Sequence, residues 1–439
     1  MAPESLRPRP QRLPAPTVAA QQTAALNWPL LALIAMFPLQ NIYLGKLPGL
    51  GAGLNFLNGM MLLALLGWKL RAPLAAPTPT PLHRPLYAYF LVFLLSVFYS
   101  QITLGSIPEG SFSALKDMFI PVLLYFIVLG SVRSRRAVIA TVLATLLPLP
   151  YMFYVFRSQL GNVIRWHYDD DMRLVKGTFM ELGSNEIGAF YAGYTLVLLG
   201  LCYFVRSLWV RAILGALALI NLYCLLYSYS RGSWLSFLLG LAVMAWYASR
   251  KLAIAAVLGV ALLSGSIMTV FPVSVQERFS TIFVEEEQRD NSAQSRWVLW
   301  GLAMEQYWKS PVVGIGFRTF ARVNPLAKDT HNYYVKLLTE QGALGLGVFL
   351  VILWRAYRGA LELLRRADDP LYRGLALGML GCLAAFALGN MFGDRFSHYP
   401  LIAYFWVYLA LIQRARLLCA PAPAPVPAPP GVAGRMVRA

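Results

Sequence analysis

The feature that most constrains this chain is a series of apolar runs, each about twenty residues long, the length of helix that crosses a bilayer core. They recur along almost all of its 439 residues. A soluble core of this size would show amphipathic periods instead. The runs lie near 26–44, 52–68, 86–104, 117–132, 137–156, 184–205, 209–228, 232–249, 252–273, 332–354, 372–391 and 399–413. They predict an all-α polytopic membrane protein with about twelve transmembrane helices. The expected organisation is a disordered arm over 1–25, transmembrane helices one to nine over 26–273 and a large loop with short helices over 274–331. Helices ten to twelve follow over 332–415, then a Pro/Ala-rich tail over 416–439. The arm lacks a cleavable signal layout.

Charge sets the orientation. The formal net charge is +18, although only 13% of residues are charged. In a soluble protein that excess would suggest nucleic acid, but no nucleic-acid motif occurs. The bases sit in short connections, such as Arg133, Arg135 and Arg136, or Arg355, Arg358, Arg365 and Arg366. The positive-inside rule assigns these connections, and with them both termini, to the cytoplasm. Cys202, Cys224, Cys382 and Cys419 show no metal-ligand or disulfide spacing.

Two outside segments are long, 157–183 and 274–331. The second holds seven Lys/Arg and seven Asp/Glu, so an anion site there must come from placement rather than from a general basic field. Its stretch 292–310 is predicted to be an interfacial amphipathic helix, with Trp297 and Trp300 as anchors.

A few residues on that side have chemical potential. His331 closes the large loop, and Asp329 or Thr330 is the expected N-cap of the next helix, which would put His331 in its first turn. On a regular helix Gly342 and Gly345 fall within about 40° of His331, making a close helix seam beneath it. A neutral imidazole there can take a proton from a hydroxyl, or it can merely cap the helix. Arg231, with Ser230 as N-cap, begins a span on the side where bases are scarce. It can snorkel, or hold a phosphate bidentately. Arg173, with Lys176 and Arg165 nearby, precedes a helix that Ser184 or Asn185 would cap. Arg296 opens the interfacial segment. Lys336 and Glu340 are expected to pair as i,i+4 neighbours. Asp394, Arg395 and His398 form a polar loop able to help bind an acceptor. No Walker loop and no metal-ligand spacing occurs, so no metal and no cofactor is expected. The Asp169–Asp171 run reads as a solvated loop. A transferase here would need a donor that arrives activated, most simply as a lipid-linked phosphate.

The stretch HNYYVKLLTEQGALG (331–345) fits the pattern H-[NSQ]-x9-G-x2-[GTY] of bacterial O-antigen ligases, through His331, Asn332, Gly342 and Gly345. SRGSWL (230–235) and the R-x3-W…P-x2-G-x-G run (296–316) resemble the wider ligase and polymerase superfamily. The resemblance covers 170–350. It implies a metal-independent, inverting glycosyltransferase of lipopolysaccharide biosynthesis in the bacterial inner membrane. Such an enzyme moves a glycan from undecaprenyl diphosphate to a sugar hydroxyl of lipid A–core at the periplasmic face. His331 would serve as base or acceptor orienter, and the arginines would hold the diphosphate. An O-antigen or exopolysaccharide polymerase, or a protein O-oligosaccharyltransferase, shares this donor. A lipid-linked glycan transporter is the non-enzymatic alternative, although no internal repeat supports it.

Overall fold

The computed structural model describes residues 25–43, 56–71, 79–251, 254, 271–281 and 291–419. Among them all regular structure is helical. The helices are α1 (Trp28–Met36), α2 (Gln40–Tyr43), α3 (Phe56–Arg71), α4 (His83–Leu104), α5 (Ser111–Ser131), α6 (Arg135–Leu146), α7 (Leu149–Val163) and α8 (Ser184–Phe204). There follow α9 (Leu208–Leu226), α10 (Arg231–Ala248), α11 (Val273–Ser280), α12 (Asn291–Tyr307), α13 (Phe320–Val323), α14 (Tyr333–Arg366), α15 (Pro370–Gly389) and α16 (Tyr399–Leu418). Eight helical segments, with Arg135–Val163 taken as one, are long and apolar enough to cross a membrane. The chain is therefore a multi-pass membrane protein.

Several expected spans differ in detail. The first breaks into α1 and α2 around Pro38. The second is a 16-residue helix, α3. The fifth divides into α6 and α7 at Pro148, since proline has no N–H to continue a helix. The ninth span, most of the terminal arm and tail, and residues 282–290 of the large loop lie outside the described residues. The interfacial helix expected at 292–310 is α12.

Burial separates the helices into a hub and a rim. Within the apolar window of α16, 83% of residues are buried, against 28% in α9. Large apolar side chains such as Ile102, Trp209 and Leu219 are exposed on the rim, as a lipid-facing surface requires. Next to the hub, α8 and α15 approach backbone to backbone. A Cβ on Gly200 would lie 2.4 Å from the Gly378 nitrogen. Only small residues permit that approach, and without a hydrophobic drive between helices in lipid, close packing supplies the attraction.

The bundle has two chemically different ends. At one, Arg135 pairs with Asp369, Arg416 and Arg366 both pair with Glu362, and Arg414 donates to the Leu129 carbonyl. These contacts gather connections that the charge pattern assigned to a common side. At the other end meet the starts of α8, α10, α14 and α16 and the end of α15. The Tyr333 N–H donates to the Asn390 carbonyl at 2.8 Å, and the Asn390 side-chain oxygen accepts from the Arg395 N–H at 3.2 Å. His331 lies at this second end.

Candidate functional site

The His331 turn is built from its own neighbours. Asn332, not Asp329 or Thr330, caps α14, its side chain accepting from the Tyr334 and Val335 N–H groups. His331 therefore stands before the helix, not in its first turn. Its φ is +50°, a left-handed posture that costs a non-glycine residue energy and persists only when the surroundings enforce it. Here three contacts enforce it. Asp329 accepts from the Thr330 N–H at 2.7 Å, Thr330 Oγ1 donates to the Asn332 carbonyl at 2.9 Å, and Trp300 Nε1 donates to the Thr330 carbonyl at 2.9 Å. Trp300 thus tethers the histidine turn, whereas its neighbour Trp297 is exposed.

The seam expected below His331 does not form on one continuous helix. Gly342 has φ +69° and ψ −170°, so α14 breaks there. The break leaves backbone groups without helical partners, and residues 310–317 supply them. The Ile315 and Gly316 N–H groups donate to the Thr339 and Glu340 carbonyls at 2.9 and 3.0 Å. The Ala343 and Leu344 N–H groups donate to the Pro311 and Val312 carbonyls at 2.9 and 3.1 Å. A Cβ on Gly342 would lie 2.3 Å from the Val312 oxygen. The positive φ and this close approach both require glycine. The motif glycine therefore admits the loop into the helix and fixes the segment between Arg296 and His331.

Lys336 does not pair with Glu340. Its ammonium lies 2.7 Å from Asp329 Oδ2 and 2.8 Å from Asp394 Oδ2. Asp329 and Asp394 are thereby tied together, joining the histidine turn to the 394–398 loop. Glu340 instead accepts from the Phe320 N–H at 3.3 Å. A single turn of helix brings Lys336 near Glu340 but cannot outbid two carboxylates delivered by distant segments.

Around His331 the structure gathers positive charge. Arg296 feels Arg395, Arg231 and Arg173 as like charges and Glu186 as an opposite one. Burial first, and then those arginines, hold its guanidinium pKa below the usual arginine value. Its Nε is buried without a hydrogen-bond partner among the described residues. Arg173 donates to Ser184 Oγ at 3.2 Å and Asn185 Oδ1 at 3.3 Å, and Ser230 Oγ donates to the same Asn185 oxygen at 3.0 Å. One amide thus joins the segments carrying Arg173 and Arg231. Arg231 itself donates to the Thr281 carbonyl and hydroxyl at 2.8 and 2.7 Å.

Two assignments change. Arg395, read as an acceptor residue, is buried and pairs with Glu186 among the arginines. Arg165 and Lys176 are exposed: Arg165 faces Asp169 and Asp171 at 3.6 and 4.0 Å, and Lys176 Nζ donates to the Met180 carbonyl. Neither is among the principal charges acting on Arg296 or His331. Gly183, not Ser184 or Asn185, is the N-cap of α8, and Glu186 reaches back to the Gly183 N–H at 3.1 Å. Sequence reading missed Glu186, although an acidic residue in the first turn of an apolar helix was a usable signal.

His331 faces a cavity of about 760 Å³ that Asp394 and His398 also line. Desolvation lowers its pKa below the ordinary 6.5. Asp329 and Glu186 oppose the shift, and Arg296 and Arg395 add to it. The imidazole is therefore neutral near pH 7 and able to accept a proton. Asp394 is held below the usual carboxylate value: burial alone would raise it, but the Lys336 charge prevails.

No curated protein matches the chain. A family model does. It covers residues 216–350, which include Arg231, Arg296, His331, Gly342 and Gly345 but not Arg173 or the 394–398 loop. That model is described as O-antigen ligase, and over those residues, less than half of its length, this multi-pass membrane protein is similar to that family.

Proposed function

We propose that the protein transfers O-antigen polysaccharide from undecaprenyl diphosphate to a sugar hydroxyl of lipid A–core, at the periplasmic face of the bacterial inner membrane. One observation carries the reading: Arg395, Arg231 and Arg173 stand near enough to Arg296 to act on it as like charges, and Arg296 and Arg395 in turn act on a neutral histidine that faces a cavity.

In the proposed step the acceptor oxygen attacks the anomeric carbon of the donor sugar. The bond from that carbon to the phosphate oxygen breaks, and both bonding electrons leave with the diphosphate. His331 takes the hydroxyl proton or orients the hydroxyl. The donor diphosphate is already anionic and gains a further negative charge as it leaves. Guanidiniums placed beside the departing phosphate favour the leaving state over the bound substrate, and that difference is what accelerates a reaction. Arginine also suits the geometry, because its planar fork matches phosphate oxygens. Arg395 is the most buried of these arginines, and the Nε atoms of both Arg296 and Arg395 are buried without a hydrogen-bond partner among the described residues. The apolar helices would hold the polyprenyl chain and align the reactants.

The test uses purified protein, lipid-linked glycan, and either lipid A–core, a second lipid-linked glycan or a peptide as acceptor. Product on lipid A–core is expected. Replacing His331 by Ala should lower the rate about 10²–10⁴-fold, the range of a general base, with undecaprenyl diphosphate still bound. Full activity in that variant would remove His331 from the step, and product only on another acceptor would reassign the reaction.

A further inference from the structure

We infer that the cavity beside His331 receives an uncharged, hydroxyl-rich glycan end and turns away a phosphorylated one. This rests on the reading that His331 serves a glycan transfer, and it names which acceptor chemistry that transfer tolerates.

The cavity volume, about 760 Å³, lies within the range of ligand pockets, roughly 300–1,000 Å³. Its wall is acidic. Asp117, Glu181, Glu186, Asp329 and Asp394 line it, against Arg318 and Lys336. The two bases are already engaged. Lys336 is shared between Asp329 and Asp394, and Arg318 Nη1 donates to the Glu109 carbonyl at 3.1 Å. Asp117 meets Lys116 at 3.2 Å, with both side chains well exposed to solvent. Glu181 is exposed and makes no ion pair among the described residues. With Glu186 paired to Arg395 and with Asp329 and Asp394 sharing Lys336, the negative field facing a ligand comes chiefly from Asp117 on α5 and Glu181 just before α8.

That wall differs in kind from the arginine side. Glu186 marks the boundary: it lines the cavity and pairs with Arg395, which does not line it. A diphosphate is drawn to one side of the boundary and repelled on the other. Carboxylates accept hydrogen bonds from sugar hydroxyls, and such charge-assisted bonds are the stronger kind. The Ser113 and Ser397 side chains add neutral polar groups, and Phe317 and Tyr399 add aromatic surface for the apolar faces of sugar rings. A phosphate in the same space meets like charge and is disfavoured. The receiving sugar and its immediate neighbour are therefore unphosphorylated, and any acceptor phosphate stays outside the cavity.

The experiment uses the full chain with lipid-linked glycan and two soluble acceptor oligosaccharides of one structure. One of them carries a phosphate monoester on the sugar next to the receiving residue. The neutral acceptor should be used at least about tenfold better by kcat/KM. The double variant Asp117→Asn, Glu181→Gln changes two exposed side chains and should narrow that preference severalfold by improving use of the phosphorylated acceptor. Equal or better use of the phosphorylated acceptor by the unaltered protein, a preference the double variant leaves unmoved, or displacement of the glycan by a hydroxyl-bearing peptide overturns the inference while glycan transfer stands. Binding of undecaprenyl diphosphate with no transfer to either acceptor overturns the transfer reading, and this inference falls with it.

Discussion

Both ends of the bundle are rich in arginine, yet they use it differently. At the Arg135 end three guanidiniums have a carboxylate, Arg135 with Asp369 and both Arg366 and Arg416 with Glu362, while the buried Arg414 donates to the Leu129 carbonyl. At the His331 end Arg395 pairs with Glu186, while Arg395, Arg231 and Arg173 all act on Arg296 as like charges, and Arg296 keeps a buried Nε without a hydrogen-bond partner among the described residues. The lesson is that arginine density follows topology, and that what sets the His331 end apart is a set of arginines close enough to act on one another. The crowded end is where charge bias holds the helices in register with the membrane. The His331 end is where burial makes each charge count, because electrostatic interactions strengthen as water is excluded.

The sharpest way to break this contrast is to neutralise one arginine at each end. Arg296→Gln should lower kcat/KM for the lipid-linked donor about 10²–10³-fold, the cost of removing one preorganised charge-stabilising donor. Steady-state kinetics with donor varied would measure it. An unchanged value would mean that the cluster is structural.

Gly342→Ala tests whether the loop docked into the helix break holds the two charged segments together. The positive φ alone should cost about 1–3 kcal/mol, and the close approach to Val312 adds to it. A lowered melting temperature with lost activity is expected. A variant as stable and active as the parent would show that the break is dispensable.

pH separates the histidine from the arginines. The folded His331 pKa is lowered, so the neutral form required of a base persists through pH 7 down to 6.5 and is lost only as pH falls through the depressed value. Below that point the rate should fall about tenfold per pH unit. Arg296 contributes to the depression, so Arg296→Gln should move the acid limb to higher pH. An acid limb that stays in place would uncouple the two residues.

The smallest effect belongs to the other end. Arg135→Gln removes a half-exposed ion pair, worth about 0–1 kcal/mol, and should change donor kinetics less than about twofold. A loss comparable to that of Arg296→Gln would erase the distinction between the ends.

Much of the fold was legible because apolar run length is a local property. The runs at 86–104, 117–132, 184–205, 209–228, 372–391 and 399–413 correspond to α4, α5, α8, α9, α15 and α16. Boundaries failed where proline interrupts a run, at Pro38 and Pro148, and where an apolar stretch continues into a charged helix, so that α14 extends to Arg366. Arg173, Arg231, Arg296 and His331 were legible as residues out of keeping with their surroundings. Their convergence was not, because it depends on contacts such as Asn185 with Ser230 that join segments far apart in sequence.

By itself, then, the sequence determined a multi-pass helical membrane protein, a basic end, and a histidine-to-glycine motif facing away from it. Those follow from run length, base placement and residue identity, which neighbours along the chain do not alter. The tertiary structure alone decided that Gly342 breaks its helix, that Lys336 serves Asp329 and Asp394 rather than Glu340, and that Arg395 joins the arginines while His331 opens onto an acid-lined cavity. The reason is physical: a backbone break, a buried charge and a cavity wall are each settled by partners that arrive from elsewhere in the fold, and spacing along one helix carries no information about them.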